Sequence, residues 1–268
     1  MKQALGLGKL DRRELALVLQ KTKGTISVRD TSEALSVDFS KAAKKLSRWT
    51  KNGWLCRVKR GLYVPVTLES DDVEIAMEDA WIIANRIYGP CYIGGWSAAE
   101  YWELTEQIFL TTIVMTTQKV HQRRVSYQNI NFRIKTVPDK YLFGLKDIWR
   151  GQVKVKVSDS ARTLIDMLSD PSLGGGIRSV ADMLKKFFQS EQANSQLIFE
   201  YAKQFNKGVV FKRLGYLTEK FFPEQKDLIN SCLLSMSAGY SKLDPSLSSK
   251  KITTKWRLWL PESWENNK

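Results

Sequence analysis

Residues suited to catalysis or metal binding are few in this sequence and lie far apart. His121 is the only histidine, and Cys56, Cys91 and Cys232 are the only cysteines. A zinc site needs several closely placed ligands, and a Ser-His-Asp triad needs a histidine beside a serine and a carboxylate. Three widely spaced cysteines also fit no disulfide framework. We therefore expect buried free thiols, a solvent-exposed His121, no metal and no cofactor.

Glycines and carboxylates give no catalytic motif either. The glycine run at residues 174–176 is not followed by the Lys-Ser/Thr of a phosphate-binding loop. A restriction-type nuclease needs an acidic residue followed by Glu-x-Lys on adjacent strands, and the predicted strands carry no such string. Asp159, Asp166, Asp170 and Asp182 are expected as helix caps and exposed helix positions. These patterns predict a protein that is not an enzyme.

Cationic side chains are the most distinctive chemistry of the chain. Its 268 residues contain 42 Lys and Arg against 28 Asp and Glu, which gives a net charge of +14. Residues 1–69 hold 15 of the basic and 6 of the acidic residues, so about a quarter of the chain carries +9. Such an excess favours polyanionic partners. We expect the N-terminal segment to bind a polyanion.

One helix concentrates these cations. At about 100° per residue, one arc of the segment from Phe39 to Asn52 is apolar and consists of Phe39, Ala42, Leu46 and Trp49. The opposite arc is basic and consists of Lys41, Lys44, Lys45, Arg48 and Lys51. A helix face that serves only solubility usually alternates Glu with Lys, and this helix contains no acidic residue. The pattern favours DNA binding.

The expected DNA contacts come from this helix and from a hairpin behind it. Ser40 stands near the helix start, where its hydroxyl can donate to a phosphate or a base edge. Arg57, Lys59 and Arg60 lie on the hairpin and are expected to reach the flanking backbone. About five phosphate contacts predict a slope of about −4.5 for log K against log salt. Arg48 is the best candidate for a bidentate contact to guanine.

The elements that must position these residues follow a definite order. Residues 10–21 predict a helix, 25–28 a short strand, 30–35 a helix, 39–52 a helix ended by Gly53, and 54–64 a hairpin with a basic turn. This is the order of a winged helix-turn-helix. An acidic stretch at Glu69 to Asp72 then opens a new helix. The sequence predicts a DNA-binding domain at residues 1–68 and a second domain at 69–268.

The second part alternates helices and strands. We predict helices at residues 73–87, 96–104, 160–168, 177–188, 192–201, 213–222 and 226–236. We predict strands at residues 91–93, 111–117, 127–137, 153–157 and 255–259. The fold class is therefore α+β, with an N-terminal winged helix-turn-helix followed by a mixed α/β domain that has a helical C-terminal part.

Membrane segments are not expected from this pattern. Charged residues, Gly or Pro interrupt every apolar stretch well before the roughly 20 residues of a spanning helix. The charged residues from Lys9 to Glu14 interrupt any signal-peptide core. We expect a cytoplasmic protein without a membrane partner. A helix lying on a membrane surface is the weaker interpretation of the same cations, because the predicted three-helix core uses the apolar positions.

Short strings along most of the chain carry a family resemblance. They are Arg60-Gly61-Leu62-Tyr63, Gly95-Trp96-Ser97-Ala98-Ala99-Glu100, Leu104-Thr105-Glu106-Gln107, Arg162-Thr163-Leu164-Ile165-Asp166, Arg213-Leu214-Gly215-Tyr216-Leu217, Leu243-Asp244-Pro245 and Trp256-Arg257-Leu258. In this order and spacing, the chain resembles AbiEi-type antitoxins of bacterial type IV toxin–antitoxin systems.

The resemblance implies a transcriptional repressor that is also an antitoxin in phage defence. Such a protein binds inverted repeats in the promoter of its own operon and counters a nucleotidyltransferase-like toxin without stable direct contact. We expect a monomer or a weak dimer. In the strings of the second part, we expect Arg162 and Arg213 to be paired helix charges and Gly215 to allow close packing.

Two other classes of function stay open. The first is a nucleic-acid-processing enzyme that the winged domain tethers to its substrate. Metal-dependent cleavage or nucleotide transfer by the purified protein would favour it. The second is an interaction module whose α/β part clamps a partner protein. Co-purification with a stoichiometric partner, and without DNA, would favour that interpretation.

Overall fold

A computed structural model describes residues 8–22, 25–66, 73–127 and 130–264, without the side chains of residues 59, 73–79 and 263. The described residues form an α+β protein, which confirms the predicted class. The α-helices are α1 (Lys9–Lys21), α2 (Val28–Leu35), α3 (Phe39–Lys51), α4 (Val73–Tyr88), α5 (Gly95–Tyr101), α6 (Ser160–Ser169), α7 (Ile177–Gln189), α8 (Ser195–Phe205), α9 (Gly208–Phe221) and α10 (Lys226–Ser235).

The strands follow the predicted order with three additions. They are β1 (Ile26–Ser27), β2 (Leu55–Lys59), β3 (Leu62–Pro65), β4 (Cys91–Ile93), β5 (Thr111–Thr116), β6 (Arg124–Tyr127), β7 (Ile130–Thr136), β8 (Leu145–Arg150), β9 (Val153–Ser158), β10 (Ser241–Lys242), β11 (Ser249–Thr253) and β12 (Leu258–Pro261). Strands β8, β10 and β11 have no counterpart in the sequence-based expectation.

The N-terminal segment contains α1, α2, α3 and a three-stranded sheet in the order β1-β3-β2. Strand β3 pairs antiparallel with both neighbours, through Ile26 opposite Tyr63 and Cys56 opposite Val64. Gly61 in the β2–β3 turn has φ +79°, a left-handed conformation that glycine adopts without strain. Ile26, Leu46 and Trp49 are among the fully buried side chains of the core behind α3.

The chain divides into two compact units. The first contains Met1–Cys91, Leu110–Thr136 and Asp147–Val155, and the second contains Tyr92–Phe109, Val137–Lys146 and Lys156–Lys268. The predicted domain border between residues 68 and 69 lies outside the described residues. The division into 1–68 and 69–268 therefore stays a prediction.

Beyond the N-terminal segment, the first unit contains α4, the paired strands β5, β6 and β7, most of β8 and the start of β9. Strand β7 runs parallel to β5 and antiparallel to β6. Helix α4 packs against β5 and β7, where the Tyr88 and Phe132 rings meet edge to face at 6.3 Å. The Thr116 hydroxyl donates to the Tyr88 carbonyl at 2.6 Å and so ties the end of β5 to the end of α4.

The second unit is built around α6, all of whose residues from 161 to 168 are buried. Helices α5, α7, α8 and α9 contact it. The Asp159 side chain caps α6 by accepting from the Arg162 amide at 2.8 Å, as expected for this residue. Strand β12 pairs parallel with β10 and antiparallel with β11 in a small sheet.

Several sequence-based boundaries are wrong. The single strand expected at 127–137 is two antiparallel strands, in which Tyr127 pairs with Ile130. The helix expected at 96–104 is the shorter α5, and Glu103 has φ +57° beyond its end. The last strand begins at Leu258, because residues 254–257 form a turn between β11 and β12.

The expectations about the cysteines and about membrane-spanning helices can be compared with the structure. Cys56, Cys91 and Cys232 are free thiols, of which the last two are buried and Cys56 is partly buried. Burial raises the pKa of both the Cys91 and the Cys232 thiol to about 12. In the described ranges, none of the helices combines the length and the hydropathy of a membrane span.

Candidate nucleic-acid interface

Helix α3 is fixed by its cap and by one buried face. The Asp38 carboxylate accepts from the Lys41 amide at 2.8 Å, which caps the first turn. The same hydrogen bond lowers the pKa of Asp38, so the cap stays charged over a wide pH range. Ala42, Leu46 and Trp49 have no exposed surface and hold the helix against the core.

The apolar arc is narrower than the sequence pattern indicates. Phe39 was expected beside Ala42 and Leu46, but its side chain is 61% exposed. It is the first residue of α3, and the Asp38 cap turns the chain there. The prediction that Phe39 belongs to the core is wrong.

Four exposed residues line the opposite side of α3, and we call them the outward face. They are Ser40, Lys44, Ser47 and Lys51, at spacings of four, three and four residues. This spacing places the four side chains in one line along the helix. Among the described residues, none of the four makes a side-chain hydrogen bond or an ion pair. Their polar groups are therefore available to a ligand.

The flank of α3 nearest α1 carries paired cations. The Lys45 ammonium is 2.5 Å from the Glu14 carboxylate, and both side chains are mostly buried. The Arg48 guanidinium pairs with Asp11, which also accepts from the Trp49 indole nitrogen at 3.1 Å. Helix α3 itself contains no acidic residue, as the sequence shows, but α1 supplies two carboxylates to it.

Lys41 differs from both groups. Its ammonium is 3.2 Å from the Asp38 carboxylate, and both side chains are more than half exposed. Solvent screening leaves an ion pair this exposed with little net stabilisation. A phosphate can therefore replace Asp38 as the partner of Lys41 at little cost.

The hairpin contributes two further exposed cations. Arg57 lies on β2 and Arg60 lies in the turn before β3, and both side chains are exposed. Lys59 is the last residue of β2, and its side chain lies outside the described part of the chain. Val58 is buried between them, which anchors the strand.

The structure therefore divides the nine predicted site residues into three groups. The exposed residues that contact no carboxylate of α1 are Ser40, Lys41, Lys44, Lys51, Arg57 and Arg60. Lys45 and Arg48 contact carboxylates of α1. Lys59 ends β2, next to the turn that contains Arg60. Sequence reasoning missed Ser47, although its position seven residues after Ser40 was a sufficient signal.

Apart from the string that begins at Arg60, the strings named in the sequence analysis lie in the second unit, and their clearest charged group is buried. Arg162 is fully buried, and its Nη1 is 2.7 Å from an Asp166 oxygen. Its Nη2 donates to the Tyr92 hydroxyl at 3.0 Å and to the Tyr141 carbonyl at 3.1 Å, and its Nε donates to the Phe143 carbonyl. All of its nitrogens are thus engaged, which is typical of a structural ion pair.

Two expectations about this cluster have different outcomes. The expectation that Arg162 is a paired helix charge is confirmed, but Asp166 is only 1% exposed, so its assignment to an exposed position is wrong. Burial raises the pKa of the Tyr92 hydroxyl well above its usual value, and it stays neutral beside the ion pair.

The other strings also have packing roles. Arg213 is buried and donates to the carbonyls of Leu168 and Lys242, each at 2.7 Å, so it binds backbone rather than a carboxylate. The Asp244 carboxylate accepts from the Ile177 amide at 2.9 Å at the start of α7. A Cβ atom on Gly215 would overlap the Trp256 ring, which confirms the expected close packing.

No protein-family model matches this chain, and no curated protein sequence matches it significantly. The assignment of a function therefore depends on the residues themselves. In the described ranges, no three histidine, cysteine or acidic side chains come together as metal ligands. The exposed cations of the first unit are the strongest candidate for a functional surface.

Proposed function

We propose that the protein is a sequence-specific DNA-binding transcriptional repressor whose N-terminal segment is a winged helix-turn-helix. In this proposal α2 and α3 are the helix-turn-helix, α3 is the recognition helix, and the β2–β3 hairpin is the wing. The single observation that carries the proposal is the outward face. An exposed line of two serines and two lysines on a firmly packed helix matches a major-groove contact.

The chemistry of this face fits a duplex better than it fits bulk solvent. A helix face that contacts only solvent usually has carboxylates among its lysines. Pairs of opposite charge stabilise such a helix and keep its net charge low. Lys44 and Lys51 lie seven residues apart on one line, and the outward face contains no carboxylate between them. Phosphate oxygens would supply the missing negative charge.

The proposed contacts divide into positioning and readout. Lys44, Lys51, Arg57 and Arg60 bind phosphates and give affinity without much sequence information. The serine hydroxyls of the outward face can donate to or accept from base edges. Arg48 reaches a guanine only when its pair with Asp11 opens, so Asp11 competes with DNA for this guanidinium.

The regulatory half of the proposal rests on the AbiEi resemblance. We propose that the protein acts in the cytoplasm, binds inverted repeats in the promoter of its own operon as a monomer or a weak dimer, and represses that operon. It also acts as the antitoxin to a nucleotidyltransferase-like toxin in phage defence, without stable direct contact. In this chain Arg162, Gly215 and Asp244, which belong to the strings that carry the resemblance, have packing roles.

A mobility shift with the full-length chain tests the DNA half directly. The probe is duplex DNA from immediately upstream of the protein's own gene, and the control duplex has the same composition in shuffled order. We expect the upstream DNA to shift at a protein concentration at least about 1,000-fold lower at about 0.1 M salt, which is the lower end of the usual range of specificity ratios. Equal affinity for the two duplexes would refute sequence-specific binding. Rescue of growth when a toxin gene from the same operon is co-expressed tests the antitoxin half separately.

A further inference from the structure

A groove of about 520 Å³ opens in the first unit at the end of α1. Its walls come from the last turn of α1, the residue before β1, the start of α2, the C-terminal half of α4 and the start of β9. Small-molecule sites commonly have volumes between about 300 and 1,000 Å³. The groove shares no residue with the outward face or with the hairpin cations.

Two cations line the groove and have only weak protein partners. The Lys21 ammonium donates to the Ala34 carbonyl at 3.4 Å, and the Arg86 guanidinium is 3.4 Å from an Asp30 oxygen. Both distances exceed the usual 2.7–3.2 Å range of a hydrogen bond. The same Asp30 oxygen already accepts from the Ser27 amide at 2.8 Å. An anion in the groove would therefore meet two cations with weak partners and one carboxylate, that of Asp30.

Two neutral polar side chains line the same groove without a partner. Thr25 is only 4% exposed, and among the described residues its hydroxyl makes no hydrogen bond. Asn85 is partly buried, and within the same ranges its side-chain amide also makes none. Neither polar group is among the fully buried side-chain atoms without a partner in the described part of the chain, so both reach the water of the groove. A ligand with its own donors and acceptors would replace that water at both positions.

The other residues that line the groove can contact the base and the sugar of a nucleotide. Ile82 and Val153 offer apolar contact to a flat ring. The Asn85 amide offers a donor and an acceptor side by side, as the edge of a nucleobase requires. The second oxygen of Asp30 can accept from a sugar hydroxyl. Because cations, hydroxyls, an amide and apolar walls occur together, we propose that the groove binds a nucleoside monophosphate, with its phosphate on Lys21 and Arg86.

Isothermal titration calorimetry of the full-length protein with AMP tests this proposal. We expect saturable binding of AMP that is at least tenfold tighter than the binding of adenosine or of inorganic phosphate, because each of these fills only part of the groove. R86Q should weaken AMP binding at least tenfold through loss of the phosphate contact. T25V should weaken it severalfold through loss of the hydroxyl.

Matched variants distinguish this site from the DNA surface. R29Q removes an exposed arginine of α2 that pairs with Glu33 outside the groove, and it should leave AMP binding unchanged. The double variant K44A/K51A of the outward face should also leave AMP binding unchanged. Circular dichroism checks folding, and the half-exposed position of Arg86 keeps R86Q informative even if T25V fails to fold.

Three results would overturn the proposal. They are the absence of saturable AMP binding, equal affinity for inorganic phosphate and AMP, and loss of AMP binding in K44A/K51A rather than in R86Q. None of these results depends on whether the protein recognises an operator. The proposal for the groove and the proposal for DNA binding can therefore be refuted independently.

Discussion

Replacing Lys44 and Lys51 with alanine should weaken DNA binding and reduce its dependence on salt concentration. Both side chains are exposed on the outward face and have no ion-pair partner among the described residues. The substitutions leave the buried face of α3 intact, and alanine is a better helix former than lysine. We therefore expect a change of about 0.5 kcal/mol or less in the free energy of unfolding.

The size of the effect follows from counterion release. Lys41, Lys44, Lys51, Arg57 and Arg60 are the exposed cations available for phosphates, and five contacts predict a slope of about −4.5 for log K against log salt. Removal of two contacts should reduce the slope to about −2.7. If this electrostatic contribution vanishes near 1 M salt, the loss of affinity is about 60-fold at 0.1 M and roughly 20-fold at 0.2 M.

Fluorescence anisotropy of a labelled upstream duplex measures this directly across a salt series from about 0.05 to 0.3 M, where the slope is well defined. The control removes two exposed lysines of the second unit, Lys140 and Lys226, and changes the net charge by the same amount. The control should keep the wild-type slope. An unchanged slope in K44A/K51A, or an equal loss in the control, would refute the assignment of the DNA surface.

Three further outcomes follow from individual contacts. E14Q should raise DNA affinity severalfold by anisotropy, because the Lys45 ammonium loses its carboxylate partner and becomes free for phosphate. G215A should lower the free energy of unfolding in urea by about 1–3 kcal/mol, because the new methyl group overlaps the Trp256 ring. The Asp244 carboxyl should contribute stability at neutral pH that is lost in acid, and D244N should remove part of this acid dependence in urea unfolding from about pH 6 to 2.

The sign of the Asp244 effect follows from its surroundings. Burial disfavours the charged form, but hydrogen bonds from Ser246 and the Ile177 amide and the charge of Arg213 together lower the pKa of Asp244 below 3.8. A carboxyl with a lowered folded-state pKa stabilises the protein above its unfolded pKa. That contribution disappears as the pH falls through the lowered folded value. An identical acid dependence in D244N and wild type would contradict this account.

The other two outcomes have their own controls. G239A adds a methyl group at a glycine with open space around it, so its effect on unfolding should be small. A destabilisation equal to that of G215A would argue against a clash with Trp256. E33Q removes the carboxylate that pairs with Arg29 on α2 and should change DNA affinity less than E14Q does. Equal gains from the two variants would mean that only net charge matters.

The outward face illustrates what a local pattern can predict. A period of 3.6 residues was enough to place Lys44 and Lys51 opposite Leu46 and Trp49, because these positions belong to one helix. The partners of Lys45 and Arg48 could not be found in this way. Their carboxylates stand 31 and 37 residues earlier on α1, and only the packing of two helices brings them together.

The burial of Asp166 in the second unit could not be predicted from its residue type alone. Asp166 was assigned to an exposed position because carboxylates are rarely buried. Arg162 stands four residues before it on the same helix face and neutralises it, which makes full burial tolerable. The turn between Tyr127 and Ile130 was missed although the alternation changes phase there. Val125 and Tyr127 are apolar at odd positions, whereas Ile130 and Phe132 are apolar at even positions.

The central claim is that α3 presents its outward face to the groove of a specific duplex. Hydroxyl-radical footprinting of the full-length protein on the DNA upstream of its own gene tests this claim most directly. The account predicts protected, inverted half-sites that disappear with K44A/K51A and persist with the control at Lys140 and Lys226. A uniform cleavage pattern with wild-type protein, or protection that survives K44A/K51A unchanged, would contradict it.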